Sequence, residues 1–308
     1  MEPFRLPPWY GASETTRRTV KQLWDSIMPQ DRHTIRTPAL FQAAASWQHT
    51  KSFLRDLETS FQVRDTIDEF MLMIFVTPVR QGRDVPGFME LVTEAAARGL
   101  PLIMIPGKDL LADVVTAESY AEGAAVLFAA RDEIAPRCRV MLKGDLPRDF
   151  APAALETLER VQPVAVEAAE LFAGGHYVGA QAVSTAALDT LLAKVLGGHM
   201  DALGGTKHHG FGATPSIKKV LALMDASSPE HKDRALALKL IIPPAINAFQ
   251  EATADMDEYN RHATIHRVST RQYTPENALI ALMHMSAIFV LLRCVGPGGL
   301  PPGPTQAV

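Results

Sequence analysis

The chain has 308 residues, of which 47% are hydrophobic and 21% charged, with a formal net charge of −4. This composition excludes a disordered polyelectrolyte and supplies enough apolar surface for a real core, in two domains more readily than one. A protein that coats nucleic acid would be strongly basic, so any contact with RNA or DNA must run through a local patch or a formed cleft.

Residues 1–12 are rich in proline and aromatic side chains and read as an irregular arm without the charged-then-apolar pattern of a signal peptide. Helices are predicted over 13–28 and 38–61, with Pro29 and a polar loop between them and Thr37–Pro38 as an N-cap and first-turn pair. The run FMLMIFV, 70–76, fits a buried strand or part of a helix, because periodicity does not separate the two. FMELVTEAAARG reads as an amphipathic helix that stops at Gly99, and LPLIMIP, 100–106, as a short strand. Strand, helix and strand would make a small α/β unit. Residues 108–142 are helical by composition, and KGDLPRDFAP, 143–152, with its glycine and two prolines, marks a domain boundary.

Beyond 152 only helices are predicted. One or two cover 153–196, and two short ones lie near 216–225 and 230–242. Pro243–Pro244 interrupts the chain there and starts a long helix, AINAFQEATADMDEYNRHATIH. Thr274 and Pro275 begin the last helix, 275–294. Its core, ALIALMHMSAIFVLL, is short for a bilayer and carries His284, so it reads as the buried helix of a soluble bundle rather than a membrane span. The expected fold is mainly α: a helical or α/β regulatory or sensing domain over 1–148, a helical bundle over 149–296, and a disordered tail over 297–308. Cys138 and Cys294 stand far apart with no CxxC pair, which argues against a cysteine zinc site and suits a reducing cytoplasm.

Chemistry concentrates in YNRHATIHRVS, 259–269, which holds Arg261, His262 and His266. Metal-free RNA cleavage needs a base for the ribose 2′-hydroxyl, a cation for the charge growing on the phosphorane, and an acid for the leaving 5′-oxygen. Histidine serves as base or acid near neutral pH, and arginine matches phosphate oxygens. Two other readings stand beside this one. Cations near the C-terminal end of a long helix simply favour its negative pole. His262 and His266 also have the i,i+4 spacing of metal ligands, with His284 or the His208–His209 pair as a third, although no glutamate follows His262 as in a zinc protease.

The stretch N-R-H-A-T-I-H, between a long amphipathic helix and a well-capped apolar one, resembles the signature of the HEPN superfamily: an arginine, a polar residue, and a histidine four to six residues beyond the arginine. The resemblance covers about 153–295. It implies a helical bundle that dimerises and cuts RNA without metal or other cofactor, with Arg261 on the transition state, His266 as general base or acid, and His262 assisting. Such domains serve as toxins or as effectors of defence against phage, so a neutralising or activating partner is implied as well. A two-fold axis through this helix would place two triplets around one cleft.

Asn260, Arg267 and Tyr273 flank the triplet as candidate RNA contacts, Tyr273 by stacking on a splayed base. Lys207, His208 and His209, in the glycine-rich GGTKHHGFG, form a second candidate phosphate-approaching loop, without the ending of a Walker motif.

Overall fold

The computed structural model describes residues 14–27, 75–144, 146, 150–196, 232–249, 257–266 and 271–295. Among them every regular element is helical. These are α1 (Glu14–Ile27), α2 (75–82), α3 (Phe88–Ala97), α4 (Lys108–Thr116), α5 (Tyr120–Ala129), α6 (Arg131–Lys143), α7 (Pro152–Ala173), α8 (Tyr177–Thr190), α9 (Lys232–Ala248), α10 (Arg261–His266) and α11 (Pro275–Val290). The protein is mainly α, as its sequence predicts. The helices expected over 38–61 and 216–225, the run 70–74 and the tail lie outside the described residues.

The last helix organises the others. Thr274 Oγ1 accepts the Asn277 N–H at 3.1 Å, and Pro275 occupies the first turn, where its missing N–H costs nothing. From Asn277 to Val290 every side chain is buried. A helix that is apolar all round must be enclosed on every side. Helices α8 and α6 flank it, and α5, α7, α9 and a tight turn at Leu102–Met104 complete the sleeve. By length and composition the 19 residues Pro275–Arg293 would suffice to cross a membrane, but 89% of their most apolar window is buried inside the protein. Arg293, in the turn that continues α11, donates to the carbonyls of Met141 and Gly144 and so ties down the end of α6.

One apolar cluster runs from Val20 to Leu292 and draws on helices from both sides of residue 148. At its N-terminal edge, Trp24 of α1 stacks on Phe88 of α3 with ring centroids 4.9 Å apart. Buried Arg17 pairs with buried Glu94 and donates to the carbonyl of Ala117 at 2.7 Å. Two glycine turns set the directions of the chain. Gly99, at φ +94°, ends α3: its N–H reaches Ala96 O at 3.0 Å, and Leu100 N–H reaches Ala95 O at 3.1 Å. Gly175, at φ +77°, ends α7 in the same way and sends α8 back along it.

The structure corrects three expectations. The strand at 100–106 is a 3-10 turn followed by extended chain, and there is no strand among the described residues, so the small α/β unit is not formed. Its apolar residues Leu102, Ile103, Met104 and Ile105 are all fully buried, here against helices rather than in a sheet. Neither does Pro243–Pro244 break the chain: α9 runs through both prolines to Ala248. Ile241 and Ile242 before the pair, and Ala245 and Ile246 after it, are all buried, and this packing outweighs the lost backbone bonds. Lastly, the long helix expected to end at 266 is not one element. Residues 257–260 are non-helical, and Arg261 opens a new helix of 6 residues.

Residues 150–308 alone would strip α5 and α6 from α11 and uncover the face of α11 that those two helices bury. That fragment is expected to aggregate or to bind a hydrophobic dye such as ANS. A soluble, monodisperse fragment with cooperative unfolding, measured by size-exclusion chromatography and circular dichroism, would show instead that the C-terminal half folds without the N-terminal one.

Candidate functional site

Helix α8 is Ala- and Val-rich, yet it carries polar residues at 181, 185 and 189, one turn apart on one stripe. Each of them meets the segment that bears the Arg–His motif. Gln181 Nε2 donates to Thr264 Oγ1 at 3.0 Å, Thr185 Oγ1 lies 2.9 Å from Tyr259 Oη, and Asp189 Oδ2 accepts from Arg261 Nη2 at 3.2 Å. Thr185 already gives its single proton to the Gln181 carbonyl at 2.7 Å, so the Tyr259 hydroxyl is the donor to Thr185.

The backbone of the motif is pinned from the opposite side by the start of α11. Asn277 Nδ2 donates to the carbonyls of Asp257 and Gln272, at 2.9 and 3.0 Å. Gln272 Nε2 in turn donates to Glu258 O at 2.9 Å. Tyr120, from α5, accepts the Tyr259 N–H at 3.0 Å and donates to Asn277 Oδ1 at 3.1 Å. Burial pushes the phenols of Tyr120 and Tyr259 well above the usual tyrosine range, so both stay protonated as this network requires.

Asn260 is buried, and its Oδ1 accepts the Ala263 N–H at 3.0 Å. It is the N-cap of α10. Arg261 and His262 therefore stand at the positive end of a helix rather than at the negative end expected from the sequence. Favourable interaction with a helix dipole does not account for them.

The guanidinium of Arg261 is largely sheltered, with 19% of the side chain exposed. One Nη meets Asp189, and the other lies 3.3 Å from His262 Nδ1. Arg261 Nε is buried, with no hydrogen-bond partner among the described residues. His262 and Tyr273 are half-buried, and Tyr273 Oη donates to Thr264 O at 2.7 Å, leaving part of its ring at the surface.

Position 266 ends α10, one turn after His262, but the side chain of His266 lies outside the described residues, as do Arg267 and the loop with Lys207, His208 and His209. The structure thus brings together Arg261, His262, Asn260 and Tyr273. Among the described residues no group of three or more His, Cys, Asp and Glu side chains is placed to hold a metal ion. His284, weighed above as a third ligand, stacks on Tyr259 with centroids 5.6 Å apart, and its Nε2 lies 3.0 Å from Gly99 O. The sequence reading missed Gln181, Thr185 and Asp189. The signal available was their four-residue spacing along an otherwise apolar helix.

His284 gives a pH-dependent stability. A carbonyl only accepts, so Nε2 donates to Gly99 O, and burial pushes the imidazole down to about 4 from the ordinary 6.5. The unfolded chain therefore binds a proton here that the folded chain refuses. Stability contributed by the neutral ring is complete above pH 6.5 and falls by about 3 kcal/mol as the pH drops to 4. In His284→Gln that increment of acid sensitivity is expected to vanish. Urea unfolding measured across this range checks it, and an unchanged pH slope in the variant rules it out.

No protein-family model, no curated protein and no solved structure matches the chain.

Proposed function

We propose that the protein is a metal-independent endoribonuclease of the HEPN kind, acting as a homodimer. One observation carries this reading. Arg261 and His262 are held side by side, 3.3 Å apart, on a segment whose backbone is fixed by buried hydrogen bonds from α5, α8 and α11. Such investment in positioning a cation and an imidazole at the edge of the fold suits chemistry better than surface solvation.

In this reading His266 removes the proton of the ribose 2′-hydroxyl, the 2′-oxygen attacks phosphorus, and the bond to the 5′-oxygen breaks. The products are a 2′,3′-cyclic phosphate and a free 5′-hydroxyl. Arg261 stabilises the charge on the non-bridging oxygens, as a guanidinium aimed at developing charge does. Asn260 serves as the cap that sets the entry of α10. Tyr273, Arg267, Lys207, His208 and His209 are the proposed RNA contacts. A second triplet across a two-fold axis supplies the acid. The proposed biology is that of a cytoplasmic toxin or anti-phage effector with a neutralising or activating partner.

The Asp189 ion pair favours a second reading, a non-catalytic helical dimerisation or RNA-binding module. A carboxylate 3.2 Å from the guanidinium gives the cation a structural partner within the protein, so it need not act on a reacting phosphate.

The test uses the full chain, its His266→Ala variant and its Arg261→Ala variant, with total RNA and tRNA in excess EDTA. Wild type is expected to yield 2′,3′-cyclic phosphate ends. Each variant is expected to lose about a hundredfold or more in rate while its circular dichroism spectrum is unchanged. Retention of RNA without cleavage would select the RNA-binding form of the second reading, and neither binding nor cleavage, with a monomer by size-exclusion chromatography, would sink both.

A further inference from the structure

We propose that Tyr120 is a positioning residue of the Arg–His site, contributed by the N-terminal half of the chain: its one hydroxyl holds the segment leading into α10 at two points, so the placement of Arg261 and His262 depends on where α5 sits. The catalytic meaning of this rests on the ribonuclease reading, but the geometry it invokes does not.

The direction of each proton in the network follows from its partners. Carbonyl oxygens only accept, so the Asn277 group facing Asp257 O and Gln272 O, at 2.9 and 3.0 Å, is the amide nitrogen. The amide oxygen then faces Tyr120 Oη at 3.1 Å and can only accept, so the phenol proton points to Asn277. A lone pair of the same phenol oxygen takes the Tyr259 N–H at 3.0 Å. Tyr120 therefore holds residue 259 directly and residue 257 through the orientation it imposes on Asn277. Removing the hydroxyl withdraws the acceptor of the Tyr259 N–H and the donor to Asn277 Oδ1 together.

The stacking of Tyr259 on His284 and its hydroxyl bond to Thr185 hold the side chain, whereas Tyr120 holds the backbone. The backbone is what matters one residue on, where Asn260 caps α10 and Arg261 opens it. Arg261 meets Asp189 at 3.2 Å and His262 at 3.3 Å, at the long end of hydrogen-bond distance, so a small turn of the segment separates them. The start of α5 is itself firmly placed. Ser119 Oγ accepts the Glu122 N–H at 3.1 Å, and Glu122 Oε2 accepts the Glu118 N–H at 2.7 Å, a reciprocal cap. The Ala117 carbonyl accepts from Arg17 of α1 at 2.7 Å and from Arg98, at the end of α3, at 3.1 Å. Tyr120 is the first residue of α5, so its hydroxyl carries the seat of this corner to residues 257–261. A shift of the corner moves the site, which makes the N-terminal half part of its framework.

Backbone amide hydrogen exchange in the full chain separates positioning from general stability. In Tyr120→Phe, which keeps the ring in the core, the amides of residues 259–264 are expected to exchange about tenfold faster or more, as for the loss of one buried hydrogen bond, while those of 279–290 in α11 keep their protection. Equal losses in both stretches would report a general loss of stability and overturn the proposal, and so would unchanged exchange at 259–264. In cleavage assays Tyr120→Phe should lower kcat by about tenfold with KM unchanged, as for displaced catalytic groups. A wild type that cleaves and a variant with unchanged kcat overturn the proposal, whatever KM does. If the wild-type chain cuts no RNA, the ribonuclease reading fails by itself and the exchange measurement alone decides the role of Tyr120. Should Tyr120→Phe fold poorly, the wild type carries the test: with rising urea the Tyr259 amide is expected to open together with the amides of 121–127 in α5, and its opening well before them overturns the proposal.

Discussion

Helix α11 has no polar face, and the rest of the molecule follows from that constraint. A single amphipathic helix can lie on a sheet or pair with one neighbour, but a helix buried from Asn277 to Val290 must be surrounded. Helices on both sides of residue 148 meet that demand: α5 and α6 from one side of the chain, α7, α8 and α9 from the other. The few polar groups that α11 takes inside are all engaged. Ser286 Oγ donates to Leu282 O at 2.8 Å, His284 to Gly99 O, and Asn277 to two carbonyls. A buried polar group left without a partner costs on the order of 1–3 kcal/mol, so each of these contacts fixes a neighbour as well as satisfying itself.

The site inherits its rigidity from the same place. Residues 257–260, which lead into α10, are non-helical, and the carbonyls of Asp257 and Glu258 are bonded to Asn277 and Gln272 rather than within a helix. Tyr259 is the centre of this arrangement. Its N–H bonds to Tyr120, its hydroxyl to Thr185, and its ring stacks on His284. Tyr120 belongs to α5 and Gly99 to the turn after α3, so the N-terminal half of the chain holds the Arg–His segment directly through Tyr120 and indirectly through His284, which bonds to Gly99 and stacks on Tyr259. Nothing separates the support of the site from the support of the core.

Much of this was legible in the residues, and the failures have physical causes. The Thr274–Pro275 cap was readable because capping chemistry is local, and Gly99 ended α3 as read because a left-handed residue there is a glycine property. The segment 100–106 was misread because a fully apolar run looks the same whether a sheet or a ring of helices buries it. At Pro243–Pro244 the local rule predicted a break, and tertiary packing of the isoleucines on either side overrode it. Within the motif, Arg261 and His262 were found by residue type. Their place at the start of a helix was not found: Asn260 is a local cap that the reading of one long helix passed over, and Tyr259, which anchors the segment, acts through Tyr120 and Thr185, distant in sequence.

The reversal of that helix end changes the electrostatic argument for the site. Two basic side chains at a helix C-terminus need no partner, since the dipole favours them there. At the N-terminus the dipole disfavours them by at most about 1 kcal/mol, which a neighbouring carboxylate offsets. Asp189 is that carboxylate, and it remains partly exposed at the edge of the fold. Its carboxylate cancels one charge and takes one of the guanidinium donors, so the pair is neutral as a unit but still directional. A chain whose net charge is −4 offers little long-range attraction to an anion, so whatever this site can do lies in its placed groups rather than in the field of the whole molecule.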